Sequence, residues 1–179
     1  EIPFMEERPE RLQKVRRAAG ATASDAFLQG KAAVYIPANS KATILLDQGY
    51  LTNAFPQIWL SKGKNAVVTL TYAEALLDKR REKGNRNEIE GKEISGKQDV
   101  FVADGGERRL FSTLDFRTWR YVQLDIETKG EALRIDDFSG IFIGYPFVEK
   151  AVFSSSDKSL SDIWNTGWRT ARLCAQETY

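Results

Sequence analysis

Short runs in which apolar and polar residues alternate recur between about residues 32 and 153. In the longest of these runs, over residues 119–128, Val122, Leu124 and Ile126 alternate with polar side chains. This alternation is typical of an antiparallel strand that has one face on an apolar core and the other face in water. Shorter runs predict further strands over residues 34–36, 42–46, 66–72, 141–147 and 151–153.

Turn-forming residues separate these predicted strands. They occur at Asp47-Gln48-Gly49, at residues 62–65, at Asp104-Gly105-Gly106, at Lys129-Gly130 and at Ser139-Gly140. No helical pattern lies between the strands, which argues against a parallel sheet. The sequence therefore predicts a mainly β fold, an antiparallel jelly-roll-like β-sandwich with an N-terminal linker and a C-terminal α-helix.

Two segments are dominated by charged residues. Residues 1–20 mix acidic and basic side chains and contain Pro3 and Pro9, so we predict a solvated linker there. Residues 78–98 are also charged with both signs, which predicts a surface loop between strands rather than a basic binding patch. The predicted division of the chain is a linker over 1–20, a β-sandwich over 21–155 and a helix over 156–179.

A helical pattern occupies the last part of the chain. Its apolar residues recur at steps of three and four, as on one face of an α-helix: Leu160, Ile163, Trp164, Gly167, Trp168, Ala171 and Cys174. Ser156 or Asp157 can cap the first turn. The pattern is still strong at Tyr179 and no Gly or Pro stop signal appears, so we expect a truncation there and a helix that leads into a further domain.

The composition excludes several kinds of site. The chain of 179 residues has no His and one Cys, Cys174, which removes His-based catalysis, His- or Cys-rich zinc sites and intrachain disulfides. Its 26 basic and 25 acidic residues leave a net charge of +1, which argues against nucleic-acid binding. The sequence contains no run of about 18 apolar residues, so it predicts no membrane-spanning helix. We predict no cofactor and no metal site.

Three aromatic residues, Tyr50, Trp59 and Trp119, are candidates for contact with a sugar, because the apolar face of a sugar ring packs on aromatic rings. Large aromatic residues of a sandwich are also typical of its core, so the alternative is that these three are buried. The adjacent acids Asp136 and Asp137 do not predict a hydrolytic pair, since neighbours on a strand point to opposite faces.

Arg120 falls on the apolar face of the predicted strand over residues 119–128, together with Val122 and Leu124. An unpaired buried charge is very costly, so Arg120 needs a carboxylate partner. We predict a structural ion pair between Arg120 and Glu74, which would hold the strand register and have no chemical role.

Several motifs together resemble one enzyme family. They are residues 72–76 (YAEAL), 83–92 (KGNRNEIEGK), 116–122 (FRTWRYV), 144–147 (GYPF), and the end of the chain at 163–164 (IW) and 168–179 (WRTARLCAQETY). In their order and spacing they resemble the segment of bacterial α-L-rhamnosidases, glycoside hydrolase family 78, that precedes the catalytic domain. The likeness runs from about Tyr50 to Tyr179.

The resemblance implies an accessory β-sandwich that packs against a catalytic (α/α)6 barrel. The two acids of the family's inverting mechanism lie in that barrel, so no catalytic residue is carried onto this chain. Trp164 and Trp168 would be anchors of the interface with the barrel, and a rhamnose-containing carbohydrate would be a ligand. Members of the family are often exported, which implies a periplasmic or extracellular location. Two alternatives stay open, a carbohydrate-binding module in its own right and a structural assembly domain.

Overall fold

The structure is a computed structural model that describes residues 3–176. Within that range the chain forms nine strands, all paired antiparallel, and two helices. In chain order the elements are β1 Glu6–Glu10, β2 Lys14–Ala19, α1 Asp25–Leu28, β3 Val34–Ile36, β4 Lys41–Lys62, β5 Val67–Ala73, β6 Lys97–Val102, β7 Arg109–Ser112, β8 Arg117–Glu127, β9 Leu133–Gly144 and α2 Ser159–Cys174. The predicted mainly β, antiparallel sandwich with a C-terminal helix is confirmed.

The 22-residue strand β4 belongs to both layers of the sandwich. Its first half pairs with β2 on one edge and β8 on the other, and β5 and β6 extend that layer beyond β8. Its second half pairs with β7 on one edge and β9 on the other, and β1 and β3 lie along the far edge of β9. One strand therefore holds the two layers in a fixed relation.

The core is one cluster of alternate residues from the strands of both layers. Val122, Leu124 and Ile126 of β8 are buried as the alternation predicts, and so are Val68 and Leu70 of β5. The four-residue helix α1 adds Phe27 and Leu28 to the same cluster. The period-two pattern thus identifies the covered face of β5 and of β8.

The described part of the predicted linker, residues 3–20, is not the solvated segment that its charges suggest. Most of this segment forms β1, which pairs with β9, and β2, which pairs with β4. Glu10 and Leu12 are buried. Mixed charge is compatible with a strand here because the charges are neutralised across neighbouring strands, as between Arg16 and Asp47. The domain division at residue 155 stays a prediction.

Two of the predicted turns lie inside strands. At Asp47 and Gly49 the strand β4 continues through a shift of register between Asp47 and Thr52, with Gly49 at a φ of +81° and its N–H donating to the Asp47 carboxylate over 2.7 Å. Such an insertion bends a strand without ending it. Gly140 lies within β9, where a Cβ would come within 3.2 Å of the Trp119 ring, so this glycine makes room for packing rather than a turn.

Of the other predicted turns, strands and loops, some occur as predicted and some do not. The turns at residues 62–65, 104–106 and 129–130 connect successive strands, whereas residues 151–153 form no strand. The charged segment between β5 and β6 is largely an exposed loop, but Leu76 and Ile89 are buried with Leu45 and Tyr121 in a second, smaller cluster. The loop is therefore attached to the outer face of the sandwich.

The helix α2 begins at Ser159, with Lys158 rather than Ser156 or Asp157 at its N-cap and no side-chain cap hydrogen bond, although the Asp157 carboxylate accepts the N–H of Ser159 over 2.9 Å. It has no buried residue, although its apolar pattern is that of a helix with a covered face. The prediction of a truncation at Tyr179 lies outside the described residues. Among residues 3–176 no helix is both long and apolar enough to cross a membrane.

Candidate functional site

A cleft of about 320 Å³ lies between the last turns of α2 and the strands β1, β4 and β9. The helix contributes Trp168, Arg169 and Arg172 to its lining, because residues three and four apart share one face of a helix. The strands contribute Arg8, Glu10, Tyr50, Thr52 and Phe142. Aromatic rings, guanidinium groups and a carboxylate therefore converge on one space.

Polar contacts hold the last turns of α2 against the strands. The Asn53 side-chain amide donates to the carbonyl of Leu173 over 2.6 Å, and Thr118 donates to the same Asn53 side chain over 2.7 Å. The backbone N–H of Tyr145 donates to the carbonyl of Ala175 over 3.1 Å, and Arg172 pairs with Glu6. The cleft is thus formed by elements that are fixed relative to one another.

One lining residue of the cleft is a buried carboxylate. Glu10 is 6% exposed, and its two carboxylate oxygens accept hydrogen bonds from Thr52 over 2.8 Å and from Arg8 over 3.0 Å. The Phe142 ring lies close to two guanidinium groups, with Arg8 at 5.4 Å and Arg172 at 5.5 Å from the ring centroid. The charge of Arg8 is balanced by Glu10, and that of Arg172 by Glu6.

Arg169 differs from the other two arginines of the cleft. Its guanidinium lies 4.0 Å from the centroid of the Tyr50 ring, and its Nη2 donates to the carbonyl of Leu51 over 2.9 Å. No carboxylate lies within 4.0 Å of it in the described part of the chain. A cation–π contact and one hydrogen bond fix this cation, and most of its five N–H donors remain available.

The three residues predicted to contact a sugar do not come together. Tyr50 lines the cleft, whereas Trp59 is partly buried elsewhere, with the Arg108 guanidinium 5.5 Å from its ring centroid. Trp119 is 1% exposed and lies in the core, 5.6 Å from the Tyr72 ring. A ring so buried offers no face to a ligand, so the sugar contact predicted for Trp119 is wrong.

The predicted ion pair between Glu74 and Arg120 is replaced by two other pairs. Arg120 donates to the Asp47 carboxylate over 3.2 Å, and Glu74 pairs with Lys83 over 3.0 Å at the surface. Arg120 does have the carboxylate partner that partial burial demands. Asp47 lies opposite Tyr121 at the last position of the regular register between β4 and β8, and Arg120 is the next residue of β8, where the register shifts. No local pattern in the sequence reveals this pairing.

The predicted interface residues Trp164 and Trp168 have different surroundings. Trp164 stacks on Phe153 with centroids 5.5 Å apart and an interplanar angle of 13°, on the part of α2 that lies beyond the cleft. Trp168 contacts Phe147, with centroids 5.7 Å apart, and lines the cleft. Neither Arg169 nor Glu10 was predicted as a site residue from the sequence. The four-residue spacing of Trp168 and Arg172 is the signal that could have indicated the cleft-facing side of α2.

A second polar cluster lies at the end of β8. Arg117 donates two hydrogen bonds to the carboxylate of Asp99, both of 2.7 Å. The hydrogen bonds from Arg117 lower the pKa of Asp99 below its usual value. Burial, and then the negative charge of Asp99, raises the pKa of the neighbouring Tyr72 hydroxyl, which stays protonated. The ion pair links β6 to β8 across β5, which lies between them, and Asp99, Arg117 and Tyr72 all have pKa values shifted away from neutral pH.

Replacing Asp99 by asparagine should flatten the dependence of stability on pH in acid. Folded Asp99 binds its proton more weakly than an unfolded aspartate with a pKa of about 3.9, so its ion pair stabilises the fold above that value. The stabilisation is lost as the pH falls through the lower folded pKa. Urea unfolding between about pH 7 and pH 3 should therefore show the gap between wild type and Asp99→Asn shrinking with acid. A constant gap would contradict the assignment.

No arrangement of three or more potential ligands that could hold a metal ion occurs among the described residues.

Comparison with known proteins identifies the architecture. No protein-family model and no curated protein matches this sequence. A family 78 rhamnosidase from Bacillus sp. GL1 superposes with a TM-score of 0.69 at 16% identity, over 88% of this chain and 16% of that protein. A rhamnosidase from Klebsiella oxytoca, solved with rhamnose bound, superposes with a TM-score of 0.72 at 14% identity, over 98% of this chain and 36% of that protein. The chain spans about a third or less of these enzymes, and it shares the fold of one segment of each.

Proposed function

We propose that this chain is a non-catalytic accessory β-sandwich domain of an α-L-rhamnosidase, an enzyme that hydrolyses terminal α-L-rhamnosyl bonds. In this proposal α2 packs against a catalytic helical barrel of the same protein, which carries the catalytic acids. The observation that carries the proposal is the uncovered apolar face on the first turns of α2.

That face belongs to the helix and to the segment before it. Ile163 is 66% exposed, Leu160 is 39% exposed, and Trp164 is 37% exposed even with Phe153 stacked on it. Val148 and Val152 are exposed beside Phe153 in the chain. Neighbouring exposed apolar side chains of this kind mark surfaces that bind a protein partner. Because the last turns of α2 are held on the sandwich, only its first turns are free to contact another domain.

The likeness to two rhamnosidases supports the same proposal. In both, the matched part is a minor fraction of a longer protein, as an accessory domain would be. A helix partner suits this surface because apolar residues spaced by three and four positions, as Leu160, Ile163 and Trp164 are, interdigitate with those of another helix. An assembly domain without a hydrolytic partner would have the same exposed face, and the experiment below separates the two.

The experiment compares the 179-residue chain with a longer protein expressed through the reading frame that follows it in the gene. With 4-nitrophenyl α-L-rhamnoside as substrate, we expect hydrolysis by the longer protein and none by the chain alone. In the longer protein Ile163→Glu should lower the melting temperature and the activity, because it removes about 1.5–3 kcal/mol of apolar contact and places a charge in the interface. In the chain alone the same change should alter stability by less than about 0.5 kcal/mol.

Asn165→Glu is the matched control. Asn165 is exposed on α2 and lies two residues after Ile163, so the two side chains point to opposite sides of the helix. It should leave the longer protein unchanged. Hydrolysis by the chain alone would contradict the non-catalytic role. A longer protein that hydrolyses no rhamnoside would favour the assembly domain, and equal behaviour of both variants would contradict the docking face.

A further inference from the structure

We infer that the cleft between α2 and strands β1, β4 and β9 binds an acidic saccharide, a sugar ring that bears a carboxylate. The inference concerns the last turns of α2 and the strands beneath them, and it does not depend on what covers the first turns. Three features of the cleft support it: a preorganised cation without a carboxylate partner among residues 3–176, two aromatic side chains and a buried acceptor.

The cation is Arg169. The Tyr50 ring and the Leu51 carbonyl hold its guanidinium in place, and the other two arginines of the cleft, Arg8 and Arg172, already have Glu10 and Glu6 as partners. A guanidinium has a planar fork of donors that matches the two oxygens of a carboxylate. Since the cation is already ordered, little side-chain entropy is lost when an anion binds. The net positive charge of this cleft is thus concentrated on one oriented group.

The aromatic side chains are Tyr50 on β4, whose ring holds the Arg169 guanidinium, and Trp168 on α2. Trp168 is partly exposed and has Phe147 behind it, so its ring has packing support and an accessible part. The C–H groups of a sugar ring form an apolar face that packs on such a side chain, whereas a small inorganic anion has no surface for it. The cleft volume of about 320 Å³ is at the lower end of the range for small-molecule sites and suits one or two sugar rings.

The acceptor is Glu10. It is buried, its charge is balanced by Arg8, and each of its carboxylate oxygens has accepted one hydrogen bond from the protein. An ionised carboxylate has about four lone-pair sites, so Glu10 can accept further bonds from hydroxyl groups. The ligand that fits these groups has hydroxyl donors, a carboxylate and a ring with an apolar face. A uronic acid has all three. A neutral sugar would leave Arg169 without an anion, and a simple carboxylate would leave Glu10 and Trp168 without contacts.

The test measures binding of the 179-residue chain by titration calorimetry in low salt. The probes are α-1,4-linked digalacturonate, α-1,4-linked digalactose of the same size, and sodium acetate. We expect saturable binding of digalacturonate that is about tenfold tighter than that of digalactose, since a hydrogen bond to a charged group is worth that much or more. Acetate should bind more weakly than either sugar.

Two variants separate the parts of the site. Arg169→Gln should weaken digalacturonate about tenfold and leave digalactose unchanged, so that the preference for the acid disappears. Trp168→Ala should weaken both sugars by a similar factor and keep the preference. Arg80→Gln is the control, an exposed arginine in the charged loop, and should bind as the wild type does. Circular dichroism and the melting temperature show that each variant is folded.

Equal binding of the two sugars by the wild type would overturn the inference, and so would the absence of saturable binding. Acetate that binds as tightly as digalacturonate would reduce the site to a simple anion site and overturn it as well. An unchanged affinity of Arg169→Gln would place the site elsewhere. Each of these readings is independent of the Ile163 experiment, because Ile163 does not line the cleft.

Discussion

Asp47→Ala is expected to lower the free energy of unfolding by about 3–5 kcal/mol, because it removes a buried carboxylate and leaves two partly buried guanidinium groups without that partner. The Asp47 side chain is 5% exposed and accepts hydrogen bonds from Arg16 over 2.6 Å, from Arg120 over 3.2 Å and from the N–H of Gly49 over 2.7 Å. A single carboxylate thus joins β2, β8 and the irregular part of β4. Chemical denaturation followed by tryptophan fluorescence measures the loss.

The same substitution should also loosen the charged loop between β5 and β6. Arg16, which pairs with Asp47, donates to the carbonyl of Asn87 over 3.1 Å, and the Tyr121 hydroxyl donates to the carbonyl of Arg86 over 2.7 Å. Arg17 of the same strand donates to the carbonyl of Ile89 over 3.0 Å. Without Asp47, Arg16 loses the ion pair that orients its side chain toward the carbonyl of Asn87. Limited trypsin digestion should therefore cleave the loop faster in the variant than in the wild type.

Glu74→Ala is the matched control for this prediction. It removes a carboxylate that pairs with Lys83 at the surface, and such pairs contribute about 0–1 kcal/mol. The control also decides between the two partners considered for Arg120. If Glu74→Ala destabilised the protein more than Asp47→Ala, the observed pairing would be contradicted.

Trp119→Ala should cost about 3–5 kcal/mol of stability, as removal of a large core aromatic does elsewhere. The ring is 1% exposed, contacts Tyr72, and fills the space that Gly140 leaves in β9. Strands from both layers contribute to this contact, so the cavity left by alanine has little freedom to collapse. The prediction is checked by urea unfolding, with the slope of the transition compared to confirm that the same fold is being unfolded.

Trp59→Ala is the comparison for this second prediction. Trp59 is only partly buried and has Arg108 over its ring, a contact worth about 0.5–1 kcal/mol, so its replacement should cost much less than that of Trp119. Trp119→Phe should recover part of the loss, because it keeps an aromatic ring in the same space. A Trp119→Ala variant as stable as the wild type would contradict the core position of this residue.

Patterns that repeat over short distances predicted much of the fold. The alternation of Val122, Leu124 and Ile126 marked β8 and its buried face, and the helical spacing marked α2, which begins at Ser159 and ends at Cys174 instead of continuing through Ala175 as predicted. These predictions hold because a strand or a helix imposes its period on the residues that a core must cover. Lys129 and Gly130 likewise mark a turn by the local properties of the backbone.

Contacts between distant parts of the chain were decided only by the tertiary structure. Residues 6–10 and 14–19 became strands because β9 and β4 offered free edges, and Arg120 pairs with Asp47 because the pairing of β4 with β8 places Asp47 opposite Tyr121, next to Arg120. The cleft joins Glu10, Tyr50 and Arg169, which no spacing in the sequence relates. Such pairings depend on which edges and faces remain free once the sheet has closed, and that is a property of the whole fold. By itself the sequence determined the periods of the elements and the absence of His-based chemistry, whereas the folded layers determined where charge and aromatic surface meet.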